Sequence, residues 1–249
     1  MNTVYVLWLR QMKRISRSRF RLAASLSQPL LFLVAFGLGF GQIFQRAGQG
    51  SYIQFFAPGL IVMPIMFLGL FSGADMMWDR RFGFLKMTLV APVSRLALLM
   101  GRTAGGATVS ILGGLLLALA TAIVGFRPAG LAASALGLAF MLLTACLFTA
   151  WGMALASAME DFQAYQLFIN YMAMPMFYLS GAFFPLNFVP KPLRILALFN
   201  PFAYAVDGMR ASLGGAAAHF SITTDLGVLA GLSALFILLG ARLFARIQV

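Results

Sequence analysis

The stretch "SGAFFPLNFVPKPLRILALFNPFAYAVDGMR", residues 180–210, decides how the chain is read. An apolar run ends at Ser180. The chain then stays apolar, breaks at Pro185, Pro190, Pro192 and Pro201, and closes on Asp207 and Arg210. The first three prolines prevent one continuous helix, because each removes an amide donor and clashes with the preceding turn. Asn200 followed by Pro201 reads as an N-cap and a first helical residue, opening a short helix to about Leu213. Asp207 and Arg210 lie three apart on that helix and can pair. Broken backbone is left unsatisfied in lipid, so apolar sequence of this kind must be covered by protein rather than left as a floppy outer loop.

Composition sets the class. The 249 residues are 61% apolar and 10% charged, with a net charge of +12. So few charges cannot build a water-facing surface, and an integral membrane protein is the class that fits. The cations sit between long apolar runs rather than on one basic face, which argues for membrane topology and against nucleic acid. Cys146, the one cysteine, lies inside an apolar run and reads as a small core residue. The one histidine, His219, has no second His or Cys for a metal site and reads as an exposed loop residue.

A span needs about 20 apolar residues, and charge-free gaps mark six candidates. They lie between Arg21 and Arg46, Arg46 and Asp75, Arg102 and Arg127, Arg127 and Glu160, from Asp161 towards Lys191, and from Asp225 to Arg242. The last is the shortest. The first follows a 21-residue basic segment and is too long for a signal-peptide core, so it should stay in the membrane. With the N-terminus inside, thirteen cations fall inside and five outside (Arg46, Arg127, Lys191, Arg194, Arg210). The positive-inside rule then puts both termini in the cytoplasm. The acids Asp75, Glu160, Asp161, Asp207 and Asp225 all fall near span ends. An ion-coupled carrier usually needs such a group at depth, so the energy source is expected outside this chain.

Two segments on the expected inner side carry pattern. In residues 1–21, Tyr5, Trp8, Leu9, Met12 and Ile15 share one helical face, and Arg10, Lys13, Arg14, Arg17 and Arg21 another. This predicts an interfacial amphipathic helix with its cations on anionic headgroups, turning into the membrane near Arg19. Residues 75–102 form the longest inner loop and hold five cations, among them Arg80 and Arg81. Gly83 and Pro92 bracket a short helix from about Phe84 to Val90, since Pro92 disfavours a helical Ala91. Such an element can carry push and pull from a soluble motor; it can equally be a solvated loop.

"RRFGFLKMTLVAPVSR", residues 80–95, resembles the loop of type-2 membrane subunits of ABC export systems. Leu89, Val90, Ala91, Pro92, Val93 and Ser94 match its characteristic ending. Tyr52, Phe56, Pro58 and Gly59 resemble the start of that family's second span. Residues 175–186 and 200–210 resemble its most specific signature, and the likeness covers nearly the whole chain. The Tyr52-to-Gly59 stretch is similar to drug, lipid and nodulation-factor exporters. The resemblance implies one permease domain over residues 1–249, all-α with six transmembrane helices. Two short re-entrant helices within residues 185–220 would cap its outer end. It also implies a separate ATP-binding subunit that holds ATP and Mg, because the chain has no phosphate-binding loop and no ATPase of its own. The Gly-rich "GRTAGGATVSILGG" lacks the lysine.

Three groups of residues follow from that resemblance. Arg80, Arg81, Gly83, Leu85, Leu89 and Pro92 would couple to the motor. Pro185, Asn200, Pro201, Tyr204, Asp207 and Arg210 would form an outer gate. A homodimer with spans one, two and five at its seam would place Met172, Met174, Pro175, Met176 and Phe177 on the substrate path. Methionine there suits amphipathic cargo, though the same run fits ordinary helix packing. Aromatic content is mostly Phe, with 25 against 6 Tyr and 3 Trp, which favours lipid or drug cargo over sugar. Two other readings stay open: a polysaccharide or glycolipid permease, and a membrane component that binds a partner and moves nothing.

Overall fold

The computed structural model describes residues 3–17, 19–46, 51–84, 93–214 and 218–245. Those residues form helices α1 (Thr3–Arg17), α2 (Arg19–Arg46), α3 (Tyr52–Arg81), α4 (Arg95–Ile123) and α5 (Leu131–Ala158). They continue as α6 (Phe162–Tyr178), α7 (Lys191–Leu198), α8 (Pro201–Leu213) and α9 (Ile222–Ala245), with a 3₁₀ turn at Leu186–Phe188. No strand occurs among the described residues. Five helices are long and apolar enough to cross a membrane: residues 23–41 of α2, then α3, α4, α5 and α9. The chain is an all-α membrane protein. α6, where the fifth span was expected, has 17 residues. At ~1.5 Å per residue it reaches about 26 Å, the lower limit for a span.

Charges bound the helices less tightly than the sequence suggests. The 75–102 loop is shortened from both sides, since α3 continues to Arg81 and α4 starts at Arg95. Asp75, Asp79 and Arg102 lie inside helices because they neutralise charges brought from elsewhere. The last span is longer than expected: α9 starts three residues before Asp225 and runs past Arg242, 24 residues in all. The linker after α3 opens with Phe82 and then Gly83, whose φ of +74° turns the chain off α3 in the left-handed region that glycine tolerates.

α3 is the central helix, packed by α2, α4, α5, α6 and α8. Phe56, Ala57, Leu60, Val62, Ile65 and Met66 on it are fully buried. Small residues set the closest approaches, as expected where van der Waals contact rather than the hydrophobic effect joins helices in lipid. A Cβ on Gly73 of α3 would strike the Gly152 carbonyl of α5 and the Tyr165 hydroxyl of α6. That hydroxyl, fully buried, donates to Leu70 O at 2.7 Å, with Gly152 O at 3.3 Å. Tyr165 thereby joins three helices at one point. The glycine-rich stretch of α4 has a packing role: Gly101 lies against Val4 and Leu7, and Gly105 against Gln11, so α1 rests closely on α4.

Candidate functional site

At one end of the bundle, α1 is locked onto α3 and α4. Arg10 grips both oxygens of Asp79, Nη1 to Oδ2 at 2.8 Å and Nη2 to Oδ1 at 2.7 Å. Arg102 Nη1 of α4 reaches the same carboxylate at 2.9 Å. One turn along, Arg14 Nη2 lies 3.1 Å from Asp75 Oδ1, and Gln11 Nε2 donates to Asp75 Oδ2 at 3.1 Å. Trp8 Nε1 donates to Thr108 Oγ1 at 3.0 Å. The hydrogen bond to Asp79 raises the pKa of Arg10 above its ordinary value, holding it charged. Arg10 and Arg14 therefore face protein carboxylates, a correction to the expectation that they meet lipid headgroups. The face bearing Leu7 and Gln11 packs on α4, while Tyr5 is half exposed.

This lock extends to the linker. The Arg10 guanidinium lies 3.7 Å over the Phe84 ring, at the start of the expected coupling segment. Arg81 sits near the Trp78 ring, and Arg80 Nη2 is 3.4 Å from Glu160 Oε1, both lining an open cleft of about 760 Å³. Trp78, Asp161, Phe162 and Gln163 complete that cleft. Leu85, Leu89, Pro92 and most of the expected short helix lie outside the described residues.

The opposite end is organised by α8. Asn200 caps it: its side chain accepts from Phe202 N at 3.0 Å, and Nδ2 donates to Met176 O at 2.6 Å, tying α8 to the end of α6. Pro201 is the first residue of α8 and Pro185 precedes the 3₁₀ turn. Tyr204 donates to Leu198 O at 2.8 Å and stacks on Phe220. Asp207 and Arg210 are both buried and lie 4.0 Å apart. Asp207 accepts from His219 N at 2.9 Å and Phe220 N at 2.7 Å. Arg210 donates to Gly181 O at 2.9 Å and Phe55 O at 3.4 Å, with its guanidinium 4.1 Å over the Phe55 ring. His219 is half-buried with Nδ1 2.9 Å from Asn187 Oδ1, which corrects the expectation of an exposed loop histidine. Asp225 is fully buried, and its carboxyl oxygens have no hydrogen-bond partner among the described residues.

The methionine-rich end of α6 divides in two. Phe177 is fully buried against Phe32, Phe183 and Phe202, so it braces the chain's own core rather than an open wall. Met172 and Met176 are partly buried against the same core, Met174 is half-buried, and Pro175 is exposed. The outward face carries Leu167, Phe168, Tyr171 and Tyr178. The polar residues Gln163, Gln166 and Asn170 recur along one line of α6, but apolar residues on both its covered and its uncovered side leave the rest without a sequence cue.

The sequence profile of the ABC-2 type transporter family matches residues 2–213, which takes in the helices from α1 to α8. The chain belongs to the ABC-2 type transporter family. This ABC-2 chain is 28% identical over 214 residues to the ycf38 protein of Cyanophora paradoxa, covering 83% of itself and 72% of that protein. It is 25% identical to nodulation protein J of Rhizobium leguminosarum bv. viciae over 193 residues, 77% of itself and 74% of the relative. It is 27% identical to the inner membrane transport permease YadH of Escherichia coli (strain K12) over 210 residues, 82% and 80% of the two chains. It is a multi-pass transport permease of this family.

Proposed function

We propose that this ABC-2 permease is the membrane subunit of an ATP-driven exporter in the cell (inner or plasma) membrane, with both termini cytoplasmic. Two copies pair about a two-fold axis and engage separate ATP-binding subunits, which hold ATP and Mg. The cargo is an amphipathic molecule: drug-like, lipid or lipid-linked. The single observation that carries the reading is the double contact of Arg10, with Asp79 inside α3 and Phe84 at the start of the linker. A soluble subunit that moves the segment bounded by Gly83 and Pro92 would move α1 and α3 with it. Uncovered apolar faces on α2 (Leu31, Val34, Ile43) and α6 (Leu167, Tyr171) supply surface for the pairing.

The test is co-expression with a lone ATP-binding subunit, followed by purification and ATP hydrolysis in vesicles with candidate amphipathic compounds. The two subunits are expected to co-purify, and cargo to raise hydrolysis. Leu85→Asp combined with Leu89→Asp should abolish assembly or uncouple hydrolysis while the permease still inserts. Assembly and transport that survive the double change would rule out coupling through this segment.

A further inference from the structure

Between α4 and α5, at the end distant from α1, lies an apolar groove of about 420 Å³. That size is ordinary for a small-molecule site. Its floor is Ile61, Met141, Met209 and Leu213, all buried, and its rim carries the exposed Leu119 and Leu138. Ala118, Ala122 and Gly137 leave the trough open because they carry little or no side chain. Neither α4 nor α5 lines the dimer face argued above, so the groove is separate from that reading.

A held cation lies beside the groove. Arg127 sits between Phe126 and Pro128, both of which line the trough. Its Nη1 donates to Ala122 O at 2.6 Å and Phe126 O at 3.2 Å, which holds the guanidinium against the backbone of two residues of the lining. No carboxylate pairs with Arg127 among the described residues, and its other N–H groups donate to no acceptor there. An apolar trough that opens to the bilayer is filled by chain-like apolar matter, since unfilled walls lose dispersion contacts. A guanidinium fork beside it, with donors to spare, matches the geometry of a phosphate.

We propose that this groove binds one glycerophospholipid, an acyl chain lying between α4 and α5 and the phosphate on Arg127. The bound chain would bridge α4 and α5 and rest on Met209 and Leu213 of α8, the helix that organises this end. The methionines of the floor can repack around chains of different length and unsaturation.

The experiment uses the full chain, delipidated in detergent and titrated with phosphatidylcholine while bound lipid is counted by native mass spectrometry. Wild type should retain one phosphatidylcholine. Arg127→Gln should weaken retention about tenfold, the size of one charge-assisted hydrogen bond, and Arg127→Lys should restore part of it. Diacylglycerol, which lacks the phosphate, should bind wild type no better than phosphatidylcholine binds Arg127→Gln, and inorganic phosphate alone should not compete. Bromine-labelled phosphatidylcholine should quench a Leu119→Trp variant beyond the wild-type background, and Ala122→Phe should remove that extra quenching. Equal retention by wild type and Arg127→Gln, or equal binding of diacylglycerol and phosphatidylcholine, would leave an ordinary lipid annulus and overturn the site. Arg127 is exposed, so its variants test the phosphate contact even if Ala122→Phe folds poorly.

Discussion

Asp207 and Arg210 stand one turn apart on α8 with Nη1 4.0 Å from Oδ1, yet each makes its hydrogen bonds to a different part of the chain. Asp207 holds the backbone of His219 and Phe220, ahead of α9. Arg210 holds the first turn of α3 and the Gly181 turn after α6. Removing either side chain leaves the other charge buried, at a cost of about 3–5 kcal/mol. Asp207→Ala and Arg210→Ala should each lower the unfolding temperature of the purified permease sharply. The swap Asp207→Arg with Arg210→Asp is not expected to rescue stability, because neither new side chain meets the backbone groups it would serve. Recovery to near wild type in the swap would show that simple pairing is the main interaction.

The lock on α1 should be asymmetric. Arg10 is partly exposed, so Arg10→Ala should cost about 1 kcal/mol or less. Asp79→Ala strands Arg102, which is buried, as well as Arg10, and should cost about 3–5 kcal/mol. Thermal unfolding of the two variants checks the order. In vesicles with the ATP-binding subunit, Arg10→Ala should still bind that subunit but transport less per ATP hydrolysed.

The α3–α5–α6 junction tolerates no added bulk. Gly73→Ala and Gly152→Ala should each prevent accumulation of folded permease, since the added Cβ meets backbone rather than a movable side chain. Gly227→Ala on the outer face of α9 is the control: nothing lies within 4 Å of a Cβ there, and helix propensity predicts a gain of about 0.5–1 kcal/mol. Tyr165→Phe should cost about 1 kcal/mol, the net value of the hydrogen bond to Leu70 O.

Asp225 is fully buried and its carboxyl oxygens have no hydrogen-bond partner among the described residues, a burial that costs stability. Asp225→Asn is expected to raise the unfolding temperature in detergent. A fall would mean that the carboxylate has a partner in the working protein, such as a cation or a cargo group.

Orientation is open to direct labelling. In a Cys146→Ala background, Asn187→Cys should react with a membrane-impermeant reagent added outside, and Ser94→Cys should be protected. Both positions are exposed on the chain, so the difference reports only the side of the membrane. The reverse pattern would invert the topology.

The sequence by itself determined the membrane class, the five helices long and apolar enough to cross a membrane, and the short capped helix before the last of them. Those features rest on local composition: apolar runs need lipid, prolines end helices, and Asn200–Pro201 caps one. Charge placement was legible only in part. Arg10 and Arg14 repeat at a spacing of four, as do Asp75 and Asp79, and two antiparallel helices bring 10 to 79 and 14 to 75. That matched spacing was the available signal, but the partners lie far apart along the chain, and nothing local chooses lipid headgroups or carboxylates as partners. Tertiary structure alone decided that Arg210 serves Phe55 and Gly181, that Asp207 serves a backbone ahead of α9, and that Phe177 faces inward. The physical reason is common to all three. In a chain apolar on every face, hydrophobicity does not choose which side of a helix is covered, so close approach at small residues and the partners of the few buried charges settle it.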